Sequence, residues 1–282
     1  MTYSQKKFLG KAANHVVVIL LGLVMIYPVV WLIAASFKDT SEIVTQSYRI
    51  LPVEFTWKNY PTGWKGFGNI TFATFFKNSL VISSLSTFGT TLSSAIVAYG
   101  FTRVKFPGRK IWFSCMMMTM MLPSQVILIP QYIIFQKINW VNTYNPLVVP
   151  AFFGQAFFIF MIMQFIQGLP RELDEAATID GCNRFSIFAR IILPLVVPAL
   201  ITTVIISFYW KWDEFLQPLI YLSRPEKYPI SLALKSFVDS TSQTDYGALF
   251  AMSTLSLLPV FLIFLFFNSY LLEGISTSGL KG

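Results

Sequence analysis

Six stretches of this chain run for 16 to 25 residues without one Asp, Glu, Lys, Arg or His: 16–37, 78–100, 111–135, 146–166, 195–210 and 248–272. An apolar run of that length cannot be hidden inside an ordinary water-soluble domain. It reads as a membrane-spanning helix, since about 20 residues at 1.5 Å rise cross roughly 30 Å of hydrocarbon. The run at 195–210 is short and is expected to continue a turn or two further. The runs are continuous, whereas the strands of a membrane β-barrel alternate apolar and polar residues. The expected fold is therefore all-α and polytopic, with six transmembrane helices in one domain over 1–282. Composition agrees, with 55% hydrophobic and 12% charged residues, against about 25% charged in soluble domains.

The net charge of +8 is read as topology and not as nucleic-acid binding. The turn "RVKFPGRK" carries Arg103, Lys105, Arg109 and Lys110, and the N-terminal tail carries Lys6, Lys7 and Lys11. The connection "QKINWVNTYN" carries only Lys137. Putting the basic pieces in the cytoplasm places both termini there, and the longer connections 38–77 and 211–247 face outward. The first apolar run is longer than a signal-peptide core, and the "AAS" that resembles a cleavage site lies far from the start, so this run is expected to be a retained span. Cys115 and Cys182 make no disulfide framework and are expected to be structural.

Catalytic chemistry is absent from the pattern. No G-x-x-x-x-G-K-[ST] is present, so no ATP binding of the P-loop kind is expected. There is no H-E-x-x-H or Cys/His cluster, so no metal site is expected, and the single histidine, His15, begins the first span. Nearly all carboxylates lie in the connections, which disfavours an enzyme that needs converging acid and base groups. A stand-alone channel or an ion-coupled secondary transporter stays open, because "WKWDEF" sets Lys211, Asp213 and Glu214 at the end of the fifth span. Trp210, Asp213 and Glu214 are candidate translocation-path residues. The competing reading is an interfacial belt, with Trp210 and Trp212 at headgroup level.

Proline or glycine interrupts several spans, at Pro28, Gly89, Pro123, Pro130, Pro150, Pro198 and Pro259. Kinks are expected there. The second span reads "SSLSTFGTTLSSA", whose small residues allow close helix packing.

Between the fourth and fifth spans the chain turns polar: "GLPRELDEAATIDGCNRFSIFARIILP", residues 168–194. Pro170 suits a first helical turn. Glu172, Asp174 and Glu175 follow, as the helix dipole prefers. Leu173, Ala176, Ala177 and Asp180 fall at i, i+3, i+4 and i+7 on one face. Gly181 stands where a helix ends in the left-handed conformation. A second helix is expected to start near Asn183, with Phe185, Phe188, Ala189 and Ile192 on one face, before Pro194 opens the fifth span. Such a helix suits a groove on another protein, or lies on the surface of its own chain.

The pattern E-A-A, three residues, G, nine residues, I-x-L-P resembles the signature of permease subunits of binding-protein-dependent ABC importers. It is matched at Glu175, Ala176, Ala177, Gly181, Ile191, Leu193 and Pro194, with every gap right. "SFKDTSEI", "DYGALFAMSTLSLLPV" and "GISTSGLKG" are similar to the maltose-type sugar permeases, the smaller partner of the pair. "YWKWDEFLQPLIYL" is similar to that group's W-N-E-F-L-x-P stretch, with Asp213 where Asn is usual.

The resemblance implies a multi-pass subunit of the bacterial cytoplasmic membrane that carries a sugar or oligosaccharide by alternating access. Its implied partners are a second permease in a heterodimer, two ATPase subunits that bind the ATP, and an extracellular solute-binding protein. No cofactor is implied in this chain. It makes 168–194 the coupling loop, with Glu175, Ala176, Ala177, Asp180, Gly181, Leu193 and Pro194 as the residues that engage an ATPase. The tail "STSGLKG", 276–282, is expected either to reach the ATPases or to be a loose end.

Overall fold

The computed structural model describes residues 3–238 and 244–279, with side chains described at 11, 13–238 and 244–267. Within these limits the chain is helical, with one isolated antiparallel bridge between Phe67 and Ile70 and no strand. In chain order the elements are α1 (Tyr3–Ala35), α2 (Thr40–Thr45), α3 (Asn59–Lys65), α4 (Phe72–Arg103), α5 (Arg109–Thr119) and α6 (Ser124–Lys137). Then come α7 (Asn145–Val148), a 3₁₀ turn (Val149–Phe153), α8 (Ala156–Gln167), α9 (Glu172–Ile179), α10 (Arg184–Ile187), a π turn (Phe188–Ile192) and α11 (Leu193–Leu195). The last are α12 (Val197–Asp213), α13 (Leu216–Tyr221), α14 (Ile230–Ser236) and α15 (Tyr246–Gly279).

Four segments are long and apolar enough to cross a membrane: Ala13–Ala35, Phe72–Arg103, Asn145–Gln167 and Tyr246–Phe267. Two further pairs, α5 with α6 and the Arg184–Leu195 segment with α12, bring the number to six if each bent pair is one span. The run at 111–135 is thus not one helix. It breaks between Thr119 and Ser124 and bends by 100°, where Pro123 disfavours the helical region for Leu122. The 195–210 run contains a 76° bend at Val196, between Pro194 and Pro198. The 146–166 run opens in α7, passes through the 3₁₀ turn and turns at Gly154, whose φ of 82° is left-handed. Pro28 and Pro259 stay inside long helices.

The chain divides into two compact units. One comprises Met1–Phe72 and Leu234–Leu257. Its stretch 38–72, read from sequence as a plain connection, folds around buried Asn59. The Asn59 amide donates to the carbonyls of Ser36 at 2.8 Å and Lys38 at 2.7 Å. A Cβ on Gly247 would lie 2.5 Å from the Asn59 Oδ1, so only glycine lets α15 approach that closely. Phe37, Phe55, Trp57 and Tyr60 stack around the same turn, with ring centroids 4.5 to 5.7 Å apart. Asp39 caps α2, and the Ser41 N–H and hydroxyl hold its carboxyl below the ordinary value.

The other unit comprises Ala73–Ala233 and Leu258–Gly282. It has two cores. One gathers Ile82, Leu128, Leu147, Tyr221 and Leu222. Beside it the 211–233 stretch is folded and not a free loop. Asn78 donates to the carbonyls of Glu226 and Tyr228 at 2.8 and 3.0 Å, and the Ser79 hydroxyl accepts the Ile230 N–H at 2.7 Å. The other core joins Ala95, Ala98 and Tyr99 of α4 to Ile159, Ile162, Met163 and Ile166 of α8, and continues into Ala177, Ile187, Phe188, Ile192, Val196 and Ala199.

The tight approach of α4 to the 3₁₀ turn generates a test. A Cβ on Gly89 would meet the Phe152 ring at 2.6 to 2.9 Å, whereas one on Gly100 would meet nothing within 4 Å. Gly89→Leu should overpack this contact and cost about 1–3 kcal/mol. Gly100→Ala should be neutral or slightly stabilising, because alanine favours the helix. Thermal unfolding of the detergent-purified protein should show a lower midpoint for the first variant and an unchanged or higher one for the second.

Candidate functional site: the polar segment between the fourth and fifth apolar runs

Gly181 has φ 81°, and the hydrogen bonds around it define how α9 stops. The Cys182 N–H donates to the Ala177 carbonyl at 2.9 Å, and the Gly181 N–H donates to the Thr178 carbonyl at 3.1 Å. These are the two bonds of a Schellman termination, which requires a left-handed residue at this place. The apolar contact that accompanies it is present, since Ala177 is buried and Cys182 packs against the same core. The chain restarts at once. Asn183 is extended and its side chain accepts the Ser186 N–H at 2.8 Å, which caps α10.

The start of α9 differs from expectation. Pro170 lies just ahead of the helix and Arg171 holds the N-cap position, because the carbonyl of Arg171 already accepts the Asp174 and Glu175 N–H groups. The expected face also divides. Ala177 is buried, while Leu173, Ala176 and Asp180 face outward. Ile179 is 86% exposed. In α10, Phe185 does not share the inward face with Phe188 and Ile192, being 75% exposed, and Ile187 is buried in its place. A short acidic helix thus presents Leu173, Glu175, Ala176 and Ile179, followed by Phe185.

What holds this helix was not read from the sequence. Arg103, the last residue of α4, places its Nε 3.1 Å from Asp174 Oδ2, and the two side chains are 7% and 20% exposed. The same guanidinium donates through Nη2 to the carbonyls of Ile166 at 3.1 Å and Leu169 at 2.8 Å. It thereby adds a donor to carbonyls at and just beyond the end of α8. Asp174 Oδ1 is buried with no hydrogen-bond partner among the described residues. Four residues before Arg103, Tyr99 packs its ring 5.1 Å from that of Phe188 and donates its hydroxyl to the Arg184 carbonyl at 3.2 Å. Arg103 had been read as topology and Asp174 as a dipole partner. Their pairing across 71 positions leaves no local signal, although a basic residue ending a span four positions after a tyrosine is a legible hint.

Leu193 and Pro194 lie just after the π turn. The Leu193 N–H donates to Phe188, five residues back. Pro194 has no N–H to offer the preceding turn, and a widened turn accommodates the gap. Leu193 packs against the core and Pro194 is exposed.

Trp210, Asp213 and Glu214 gather elsewhere, at the end of α12. Trp210 and Asp213 are exposed and one turn apart, and the Trp210 ring packs 5.3 to 5.4 Å from Phe158 and Phe157. Glu214 accepts the N–H groups of Leu216 and Gln217 at 3.1 and 3.2 Å, which caps α13. Trp212 is buried against Phe76 and Phe208, so it does not join Trp210 in an interfacial belt. Among the described residues no group of three or more His, Cys, Asp or Glu side chains is arranged to hold a metal.

Residues 90–276 match the model of the family described as the binding-protein-dependent transport system inner membrane component. The chain is 33% identical over 279 residues to the probable ABC transporter permease protein YurM of Bacillus subtilis (strain 168), covering 99% of this chain and 91% of that protein. It is 34% identical over 265 residues to the arabinooligosaccharides transport system permease protein AraQ of the same organism, covering 93% of each. The fold is similar to that of a chain in the crystal structure of a bacterial ABC transporter involved in the import of the acidic polysaccharide alginate. The TM-score is 0.83 at 20% identity, over 96% of this chain and 99% of that one.

The Arg103–Asp174 junction can be tested without an activity assay. Removing one partner strands the other in a mostly buried place, and coupled contacts of this kind carry about 0.5–3 kcal/mol. Asp174→Asn should speed hydrogen exchange at the Asp180, Gly181 and Cys182 amides by roughly 10- to 100-fold. Glu172→Gln, on the exposed side of the same helix, should leave those amides unchanged. Equal protection in both variants would show that α9 does not depend on the pair.

Proposed function

Because the chain belongs to the family of inner-membrane components of binding-protein-dependent transport systems, we propose that 172–181 is the coupling helix through which ATPase subunits drive it. The chain is a permease component of an ABC importer and hydrolyses no ATP itself. Family membership does not favour a stand-alone channel or an ion-coupled transporter.

In the proposed assembly, residues 1–282 act as one permease domain of six spans with both termini in the cytoplasm. The domain pairs with a second, different permease. Two ATPases dock on the cytoplasmic side and a solute-binding protein delivers substrate outside. The observation that carries the reading is the shape of α9. Its exposed Leu173, Glu175, Ala176 and Ile179 offer a small docking surface, while Ala177 and Asp174 root it in the core shared by α4 and α8. Closure of the ATPases then moves a helix that cannot slide without displacing the spans behind it. The remaining members of the family pattern, Asp180, Gly181, Leu193 and Pro194, hold the shape of the loop in this reading.

The substrate class proposed is a sugar or oligosaccharide, on the strength of the arabinooligosaccharide permease and the alginate importer to which the chain is similar. Trp210 and Asp213 are proposed for the translocation path, since an indole face stacks on sugar C–H groups and a carboxylate accepts from hydroxyls. The tail 276–282 falls on side chains and residues outside those described.

Three variants test the coupling role, in the complex with its partner subunits. Gly181→Val forces a Cβ into the left-handed region at about 1–2 kcal/mol, a cost comparable to an entire allosteric coupling term. No neighbouring atom lies within 4 Å of that Cβ, so the effect comes from the backbone alone. Membrane insertion should persist while ATPase co-purification weakens and sugar uptake falls at least about tenfold. Glu175→Lys should act likewise through its charge. In membranes that lack the ATPases, Ile179→Cys, with Cys115 and Cys182 replaced by serine, should react with an impermeant maleimide in inverted vesicles and not in intact cells. Labelling from outside would overturn the orientation, and normal uptake with full co-purification in Gly181→Val would overturn the coupling helix.

A further inference from the structure

Next to the coupling segment's core lies a groove that the transport reading leaves unused. It has a volume of about 440 Å³ and is lined by Val97 and Phe101 of α4, Trp112, Met116 and Thr119 of α5, and Gly154 beyond the 3₁₀ turn. That volume lies within the roughly 300–1,000 Å³ of small-molecule clefts, and the lining is almost wholly apolar. Its floor is set by Gly154, where a Cβ would lie 3.1 Å from Ile159. One end reaches the turn after α4, through Phe106, which packs 5.7 Å from Phe101.

That end carries the charge. Lys105 adjoins Phe106, and Arg109 is the first residue of α5. Arg109, Trp112, Met116 and Thr119 fall at i, i+3, i+7 and i+10, so the guanidinium stands on the helix face that lines the groove. Trp112 leans over Gly108, and its indole is 63% exposed at the mouth. Neither Lys105 nor Arg109 has a carboxylate within 4 Å among the described residues, and Lys110 beside them has none either. The 11 residues of α5 extend about 16 Å, which is half of the roughly 30 Å hydrocarbon thickness.

We propose that this groove is a binding site for one anionic phospholipid, with an acyl chain along α5 and the phosphate on Lys105 and Arg109. The match is of length and of charge: one leaflet's depth of apolar lining ends in an interfacial tryptophan and unpaired cations. Juxtamembrane basic clusters recognise anionic headgroups in this way. Bound there, the lipid wedges between α4, α5 and α8, the same α4 that ends on Arg103. The site requires the chain to lie in a bilayer, but not the orientation proposed above, because anionic lipid supplied to both leaflets reaches it from either side.

The test uses the complete transporter in nanodiscs of phosphatidylcholine with increasing phosphatidylglycerol, read by ATPase activity and by native mass spectrometry of retained lipid. Wild-type protein should retain phosphatidylglycerol in preference to phosphatidylcholine and gain activity as it is added. The Lys105→Gln/Arg109→Gln variant should need about 10- to 30-fold more phosphatidylglycerol, given the usual contribution of each cation near a headgroup. The charge-keeping variant Lys105→Arg/Arg109→Lys should behave as wild type. Ala156→Leu narrows the groove without touching a charge, and should lose retained lipid while activity in pure phosphatidylcholine is unchanged. It decides the matter if the charge-deleted variant fails to insert. Equal retention of both lipids by wild type, or undiminished retention in Ala156→Leu, would overturn the site and leave the groove to a helix of the partner permease.

Discussion

The Arg103 guanidinium is the junction on which the α9 end of the second unit depends. A span that stops must leave carbonyls unpaired, and in a membrane protein there is little water nearby to satisfy them. Arg103 ends α4, donates to two carbonyls at the end of α8 and faces the Asp174 carboxylate of α9. One side chain thus fixes three chain segments by groups that each cost free energy if left alone. Such a pair gives little net stability, because desolvation offsets most of the attraction. What it gives is position, since the guanidinium that faces Asp174 also holds the Ile166 and Leu169 carbonyls.

Position matters because α9 is too short to hold itself. Eight residues lie well below the length at which an isolated helix persists in water. Its order comes from its ends and from one buried methyl. Ala177 enters the core that α4 and α8 share, and the Schellman closure at Gly181 returns the chain to Asn183 within two residues. Tyr99 then clamps the following turn from the same helix that carries Arg103.

Sequence alone made much of this visible, and its failures have a common physical origin. The apolar runs marked the membrane segments because charge in hydrocarbon is costly over any 20-residue window. Gly181 and Asn183 were legible because helix stops and caps are local chemistry. The bends were legible only in part: kinks were expected at every interrupting proline, but a proline permits a break without requiring one, so Pro28 and Pro259 lie in helices that continue, while Pro123 sits at a 100° turn. Equally hidden were amide side chains that act as clamps. Asn59 and Asn142 looked like ordinary connection residues and Asn78 like the start of a span, yet Asn142 takes φ 61°, donates its N–H to the Tyr221 carbonyl at 2.7 Å and accepts from Ser223 and Arg224 at 3.3 Å. Each ties together segments far apart in the chain, which no windowed reading detects. The Trp210–Glu214 cluster was likewise taken together, but Glu214 is occupied by capping α13 and only Trp210 and Asp213 share an open face.

In the proposed cycle these differences decide where an applied displacement goes. From α9 and the turn after it the links to α4 are short: the Arg103–Asp174 ion pair, the Tyr99 hydroxyl on the Arg184 carbonyl of α10, and Ala177 in the shared core. Between α9 and α12 the path runs through a π turn whose widened hydrogen bond spans five residues, then through a 76° bend at Val196 flanked by prolines. A π turn and a proline-flanked bend are the places where a helix changes direction with fewest hydrogen bonds to break. Movement of α9 should therefore reach α4 and the end of α8 as rigid-body motion, while α12 adjusts its angle at Val196. Trp210 and Asp213 stand at the far end of α12, about 20 Å along the helix from that hinge at 1.5 Å per residue. A small rotation at Val196 is thus magnified at the residues proposed to meet substrate. The irregular turn between the family pattern and the fifth span is, on this argument, the element that converts a docking movement into a change of access.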